Sequence, residues 1–259
     1  MTTFRGLKET LQHKQLTIGS WLSWGFSPVT EIMAKAGFDW LVIDLEHTAI
    51  DYAQAHQMIQ TIDLAGCVPL VRVGDNDPLI IKRVLDSGAH GIVVPMINSA
   101  DEARRAVDAA YYPPKGTRGV GLSRAQGYGV DFQGYRERAM EQTVVIVQIE
   151  HIVGVEHLED ILSVQGVDGF IIGPYDLSGS LGQPGNFEHP DVLAALAHVE
   201  KVMHASPKAG GYHVVQTNRT MLQQRMDQGY TFIAYGDDMV IFAERMHEEG
   251  QFLKALNEK

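Results

Sequence analysis

Residues 68–97 read VPLVRVGDNDPLIIKRVLDSGAHGIVVPMI, and this stretch holds a complete strand–helix–strand unit. Val68–Val73 is a short apolar run. Asp77 then stands directly before Pro78, a helix cap followed by a proline in the first turn. The amphipathic segment Pro78–Leu85 stops before Gly88, and Gly91–Ile97 is a second apolar run. Runs without polar alternation are expected where helices cover both faces of a parallel sheet.

The same alternation extends in both directions. Ile18–Leu22, Trp40–Glu46, Val144–Glu150, Gly169–Tyr175, Ala209–Val214 and Phe232–Tyr235 also read as strands, which brings the total to eight. Helices are predicted at Pro28–Ala36 behind a Ser27 cap, Ala53–Leu64, and Ala100–Tyr111 behind a Ser99–Glu102 capping box. Val155–Leu162, Asp191–His204 and Arg219–Gln228 follow, and Val240–Leu256 is a long terminal helix with Ile241, Phe242, Met246, Phe252 and Leu253 at apolar positions. Eight such units in 259 residues predict an α/β fold, a (β/α)₈ TIM barrel spanning residues 1–259 as one domain. A doubly wound open sheet is the competitor, but no strand runs into a G-x-G-x-x-G or Walker-type loop. The glycine- and proline-rich stretch Tyr112–Gly134 is too long for a plain connector and reads as a functional or mobile loop.

Composition narrows the function classes. With 45% hydrophobic residues and a formal net charge of −11, the chain is globular and acidic, a poor partner for nucleic acid or an anionic membrane. No run of about 18 apolar residues is present, and the N-terminus lacks the apolar core of a signal peptide, so a cytoplasmic location is expected. The single cysteine, Cys67, sits among apolar neighbours and reads as a small buried hydrophobe.

In a barrel the chemistry gathers where strands end at their C-termini. Strand two ends in Asp44, Glu46 and His47, and strand three in Arg72. Strand five carries Gln148 and Glu150 on one face, and strand six runs into Gly173, Tyr175 and Asp176. Each alone has an ordinary structural explanation. Charges converging on one mouth are costly to bury unless a metal or substrate pairs them. Oxygen ligation by Glu150 and Asp176 suits a hard divalent ion, Mg²⁺ or Mn²⁺ ahead of Co²⁺. No lysine lies at a strand's C-terminal end for a Schiff base, since Lys208 precedes strand seven and Lys82 is in a helix. His151 should point away from the mouth, into packing.

The segments GFDWLVIDLEH, VPLVRV, IKRVLDSGAHGIVVPMINSADEARRAV, YYPPKGTRGVG, VQIE and VDGFIIGPYDLSGSLG, in this order and spacing, resemble the HpcH/HpaI family of class II pyruvate aldolases. The resemblance implies a barrel of the phosphoenolpyruvate/pyruvate type and reversible retro-aldol cleavage of a 4-hydroxy-2-oxo acid to pyruvate and an aldehyde. It implies Glu150 and Asp176 as metal ligands, Arg72 as the enolate stabiliser, and His47 as acid/base, with Asp86 raising its basicity. Asp86 lies in a helix away from the mouth, so that pairing would come from a neighbouring subunit. Gln148, Gly173 and the backbone near Tyr175 would bind substrate, and Tyr175 stands where relatives often carry a small residue. Arg124 would either bind a carboxylate on the aldehyde half or fix its own loop. The implied assembly is a homohexamer, a trimer of dimers with the terminal helix swapped. The alternatives are a CoA-ester lyase of the citrate lyase β type and a non-catalytic barrel that binds small acids.

Overall fold

The computed structural model describes residues 4–257. Eight parallel strands close into a barrel in sequence order: β1 (Thr17–Leu22), β2 (Trp40–Asp44), β3 (Val68–Arg72), β4 (Gly91–Val94), β5 (Val144–Ile149), β6 (Gly169–Ile172), β7 (Ala209–Val214) and β8 (Phe232–Asp237). Helices α1 (Phe4–Gln12), α2 (Ser27–Lys35), α3 (Tyr52–Leu64), α4 (Pro78–Asp86), α5 (Ala100–Ala110) and α6 (Phe132–Gln142) belong to the first half. The second half contributes α7 (Ile152–Glu156), α8 (Leu158–Ser163), α9 (Pro174–Ser180), α10 (Pro190–Ala205), α11 (Arg219–Asp227) and α12 (Asp238–Asn257). The eight-stranded barrel read from the sequence is therefore the fold, and the open sheet is excluded by β1 pairing with β8.

Several local readings need correction. Ser27 does not cap α2; it lies inside the helix, and the preceding Phe26 makes no side-chain cap. Asp51 caps α3 in a reciprocal box with Gln54. Ser99 Oγ accepts from Glu102 N–H as expected, but the Glu102 carboxylate turns back to accept from Asn98 N–H, so the box is half formed. The predicted helix Val155–Leu162 is broken at His157 into α7 and α8. β4 and β6 stop three residues short of their apolar runs, because the chain after each turns over the mouth. The loop after α5 has no regular helix or strand up to a 3₁₀ turn at Arg124–Gly129, and its end runs into α6.

α1 was not visible in the apolar pattern. Leu7 and Leu11 are fully buried against Trp40, Val68, Leu70, Val144 and Phe232, so the helix plugs the N-terminal end of the barrel. The Trp40 ring stacks on Phe232 with centroids 4.1 Å apart, and its Nε1 donates to Thr17 Oγ1 at 3.1 Å. Gly19 makes room for that ring: a Cβ there would lie 2.1 Å from the indole. A second apolar layer packs the outer strand faces against the helices and includes Cys67, whose thiol burial pushes up to about 12. Cys67 is thus inert, as its context indicates.

One ion pair locks the plug. Lys8 Nζ donates to Asp168 Oδ2 at 3.0 Å, Thr143 O at 2.6 Å and Tyr111 Oη at 2.7 Å, while Asp168 Oδ2 also accepts from Val145 N–H. Removing one partner of a buried pair strands the other charge, at a typical cost of about 3–5 kcal/mol. Lys8→Met should therefore lower thermal stability sharply, and adding Asp168→Asn should restore part of the loss. A double variant no more stable than Lys8→Met would show that the charge pair is not what anchors α1.

Candidate active site

The C-terminal mouth of the barrel is organised by an ion pair between neighbouring strands. Asp44 and Arg72 are register partners across β2 and β3. Arg72 Nε donates to Asp44 Oδ1 at 2.8 Å and Nη2 to Oδ2 at 2.6 Å, a two-pronged contact that suits the planar guanidinium. Asp44 Oδ1 also accepts from Glu46 N–H, folding the chain after β2 back over the mouth. Burial opposes the charge on Arg72, but Asp44, Glu46 and Glu150 more than offset it and hold its pKa above the ordinary value.

Glu46 is held by the same guanidinium as an ion pair without a hydrogen bond. Its Oε2 lies 3.2 Å from Arg72 Nη1 and 3.8 Å from His47 Nε2, yet it makes no hydrogen bond. Burial, with Glu150 and Asp44 nearby, pushes its carboxyl up to about 6 in spite of Arg72. His47 itself is exposed at the rim.

Glu150 is buried directly after β5. Oε1 accepts from Met96 N–H at 2.7 Å and Oε2 from the Gln148 amide. Met96 delivers its N–H from a left-handed backbone, φ 53°, an uncommon conformation outside glycine and one that concentrates at functional sites. Gly173 has to be small: a Cβ there would stand 3.0 Å from Glu150 Oε2. Burial raises the Glu150 carboxyl, and the charge of Asp176 adds to the effect. Asp176 lies in the first turn of α9, exposed, with no hydrogen bond or ion pair to any described residue.

The donor set therefore fits a hard divalent cation. The charge of Asp176 adds to the rise that burial gives Glu150, and Glu46 Oε2 adds a buried oxygen without a hydrogen bond. No group of three metal-ligating side chains exists among the described residues, so water or substrate would complete the coordination.

A cavity of about 70 Å³ at the mouth is lined by Arg72, Gln148, Gly173, Tyr175, Asp176, Trp21 and His213. The last two were missed in the sequence. Both lie on inward-facing strand positions, Trp21 two residues after Gly19 and His213 four after Ala209, so the two-residue period of β1 and β7 was the available signal. Tyr175 walls one side; its hydroxyl accepts from Gln216 Nε2 at 3.1 Å and its ring abuts Phe187.

Two anticipated residues are not brought here. Asp86 ends α4, at the opposite end of the barrel, where it accepts from Arg118 Nη2 at 2.7 Å and Gln126 Nε2 at 3.2 Å. Arg124 pairs with Asp63 at that same end. Within one chain both residues order the segment after α5. His151 caps α7, its Nδ1 accepting from Val153 N–H, rather than packing.

A carboxyl whose folded pKa is raised favours folding below its unfolded value and loses that contribution as the pH climbs through the folded one. For Glu46 that window runs from 4.5 to about 6. In metal-free protein, Glu46→Gln should gain melting temperature over the parent as the pH rises from about 4.5 to about 6, and hold that gain above it. A difference in melting temperature that stays constant over that range would remove Glu46 ionisation as its source.

Among the described residues no helix is long and apolar enough to cross a membrane. The family model HpcH/HpaI aldolase/citrate lyase matches residues 18–244. A hydroxypyruvate/pyruvate aldolase of Roseobacter denitrificans is 39% identical over 236 residues, 90% of this chain and 91% of that enzyme. A 2-keto-3-deoxy-L-rhamnonate aldolase of Escherichia coli is 36% identical over 250 residues, covering 96% and 92%. The crystal structure of a family protein from Burkholderia cenocepacia superposes with a TM-score of 0.91 at 34% identity over 96% of this chain and 99% of that one. A citrate lyase beta subunit from M. tuberculosis, at 14% identity and a TM-score of 0.59 over 90% of this chain and 96% of that one, shares the fold alone. The chain belongs to the HpcH/HpaI aldolase/citrate lyase family.

Proposed function

We propose that the protein is a metal-dependent carbon–carbon lyase that cleaves a 4-hydroxy-2-oxo acid reversibly to pyruvate and an aldehyde. The observation that carries this reading is the mouth itself, where Arg72 locked on Asp44 faces a buried Glu150 and an unpaired Asp176. The aldolases among the relatives support it over the CoA-ester reading. Against that alternative, Arg72 is the only lysine or arginine lining the mouth among the described residues and is committed to Asp44, which leaves no cation for the CoA phosphates. Against a silent barrel, buried like charges aimed at one point have no structural benefit.

Retro-aldol cleavage needs a base for the 4-hydroxyl proton and a place for the electron pair of the breaking C3–C4 bond. Glu150 and Asp176 would hold a divalent cation, Mg²⁺ or Mn²⁺ ahead of Co²⁺, and it would supply Lewis-acid polarisation of the 2-oxo group. Arg72 adds a preorganised positive charge at the oxygen where the enolate develops. Asp44 keeps that guanidinium from swinging onto the substrate carboxylate. His47 Nε2 takes the hydroxyl proton at the rim. Gln148 positions Glu150, and the close backbone at Gly173 leaves room for the oxo acid.

Asp86 acts in this scheme on His47 from a neighbouring subunit, while Arg124, held by Asp63, fixes the segment after α5. The assembly is a trimer of dimers with α12 exchanged, and exposed Phe242, Met246, Phe252 and Leu253 on that helix support it. The location is cytoplasmic.

Pyruvate release from racemic 4-hydroxy-2-oxo acids should disappear with EDTA and return with Mg²⁺ or Mn²⁺. Glu150→Ala should lower turnover by at least two orders of magnitude and weaken metal binding in calorimetry. Metal-independent release, or a Glu150→Ala enzyme with parental rate and affinity, would overturn the reading.

A further inference from the structure

Opposite the mouth, at the N-terminal end of the barrel, a cavity of about 560 Å³ opens between α1, the C-terminal ends of α5 and α6, and the chain entering β6 and β7. Three lysines from distant parts of the sequence stand on its wall: Lys8 in α1, Lys115 in the turn after α5 and Lys208 directly before β7. Each spends one N–H on a backbone carbonyl shortly before β5 or β6. Lys8 donates to Thr143 O at 2.6 Å, Lys115 to Met140 O at 3.0 Å and Lys208 to Val167 O at 2.7 Å. The three ammonium groups are thereby drawn in along one wall instead of ranging through solvent.

Charge is not balanced there. An ammonium group has three N–H donors. Lys8 uses its other two on Asp168 Oδ2 and Tyr111 Oη. Lys115 and Lys208 have no carboxylate within ion-pair reach, and each keeps two donors without a partner among the described residues. Two acids share the wall: Asp168 is taken by Lys8 and by Val145 N–H, and Glu141 is exposed at the rim. Burial lowers the Lys8 pKa in spite of Asp168, and the charges of Lys115 and Lys208 add to that effect. In a chain with 32 acidic residues against 21 Lys+Arg, a concave wall with three ammonium groups to two carboxylates reverses the overall sign and draws anions. Val107 and Met140 on the same wall give a carbon skeleton an apolar surface.

We infer that this cavity is a second ligand site, for a small polyanion that carries two or more carboxylate or phosphate groups and accepts from Lys115 and Lys208. Its oxygens take the donors those lysines leave open, in charge-assisted hydrogen bonds. The bound anion ties the turn after α5 to the entry of β7, beside the Lys8–Asp168 anchor of α1, and so stabilises the folded chain by mass action. The site stands at the opposite end of the strands from Arg72 and Glu150, which makes its occupant an effector and not a substrate. The assignment does not depend on the aldolase activity.

Calorimetry and thermal melting test this in metal-free protein at low salt, with pyrophosphate and propane-1,2,3-tricarboxylate as probes. The proteins compared are the parent, the double variant Lys115→Gln/Lys208→Gln, and Glu141→Gln. At least one probe should bind the parent and raise its melting temperature. The double variant should weaken that binding at least tenfold, about the worth of one hydrogen bond to a charged group, with circular dichroism like the parent's. Glu141→Gln should tighten it, because the rim then carries one negative charge fewer. Binding of pyrophosphate alone assigns the site to phosphate compounds, and binding of the tricarboxylate alone assigns it to organic acids. Binding of neither probe at millimolar concentration overturns the site. So does a dissociation constant in the double variant within twofold of the parent's, which would place the anion elsewhere on the protein.

Discussion

The paired contact between Asp44 and Arg72 sets the electrostatics of the whole mouth. The two residues face each other across the β2–β3 ladder, so closing the barrel in register brings the fork together without further adjustment. Its consequence is an excess of negative charge. With the guanidinium largely consumed by Asp44, Glu46 and Glu150 are left raised above the ordinary carboxylate range. Folding bears the cost of that excess, which a bound divalent cation would relieve. Had Arg72 been free to neutralise Glu150, the pocket would be balanced and would have little affinity for a cation.

The packing beneath supports this. The lumen is filled by large rings, Trp40 on Phe232 and Trp21 edge-on to Trp40, and plugged from below by Leu7 and Leu11. Those rings give the mouth a rigid floor, and Trp21 forms part of the cavity wall and carries His213. Stability and site geometry thus share residues. A barrel lined with small aliphatics would hold the same strand ends less firmly.

What the sequence disclosed follows from what each signal measures. Val/Ile runs and caps such as Asp77 report local burial and hydrogen bonding, and they located all eight strands and the polar residues at their ends. α1 escaped because its buried face is two leucines on an otherwise polar helix, and its anchor, Lys8 to Asp168, spans 160 residues. His213 and Trp21 escaped because an inward-facing residue in a buried strand looks like core until the lumen contents are known. Asp86 and Arg124 illustrate the reverse. Motif matching singles them out, and within one chain they sit at the far end of the barrel; the helical pattern already placed Asp86 away from the mouth, whereas nothing local placed Arg124.

Gly173 and Tyr175, two residues apart at the end of β6, differ in how freely they can vary. A side chain at 173 would crowd the carboxylate of Glu150, so change there disturbs the site directly. Position 175 is exposed at the rim and touches Gln216 and Phe187, both outside the metal and Arg72 machinery. Evolution can therefore reshape the rim one residue at a time while the chemistry stays intact. A lineage built on this barrel would diversify in what it accepts long before it changes what it does.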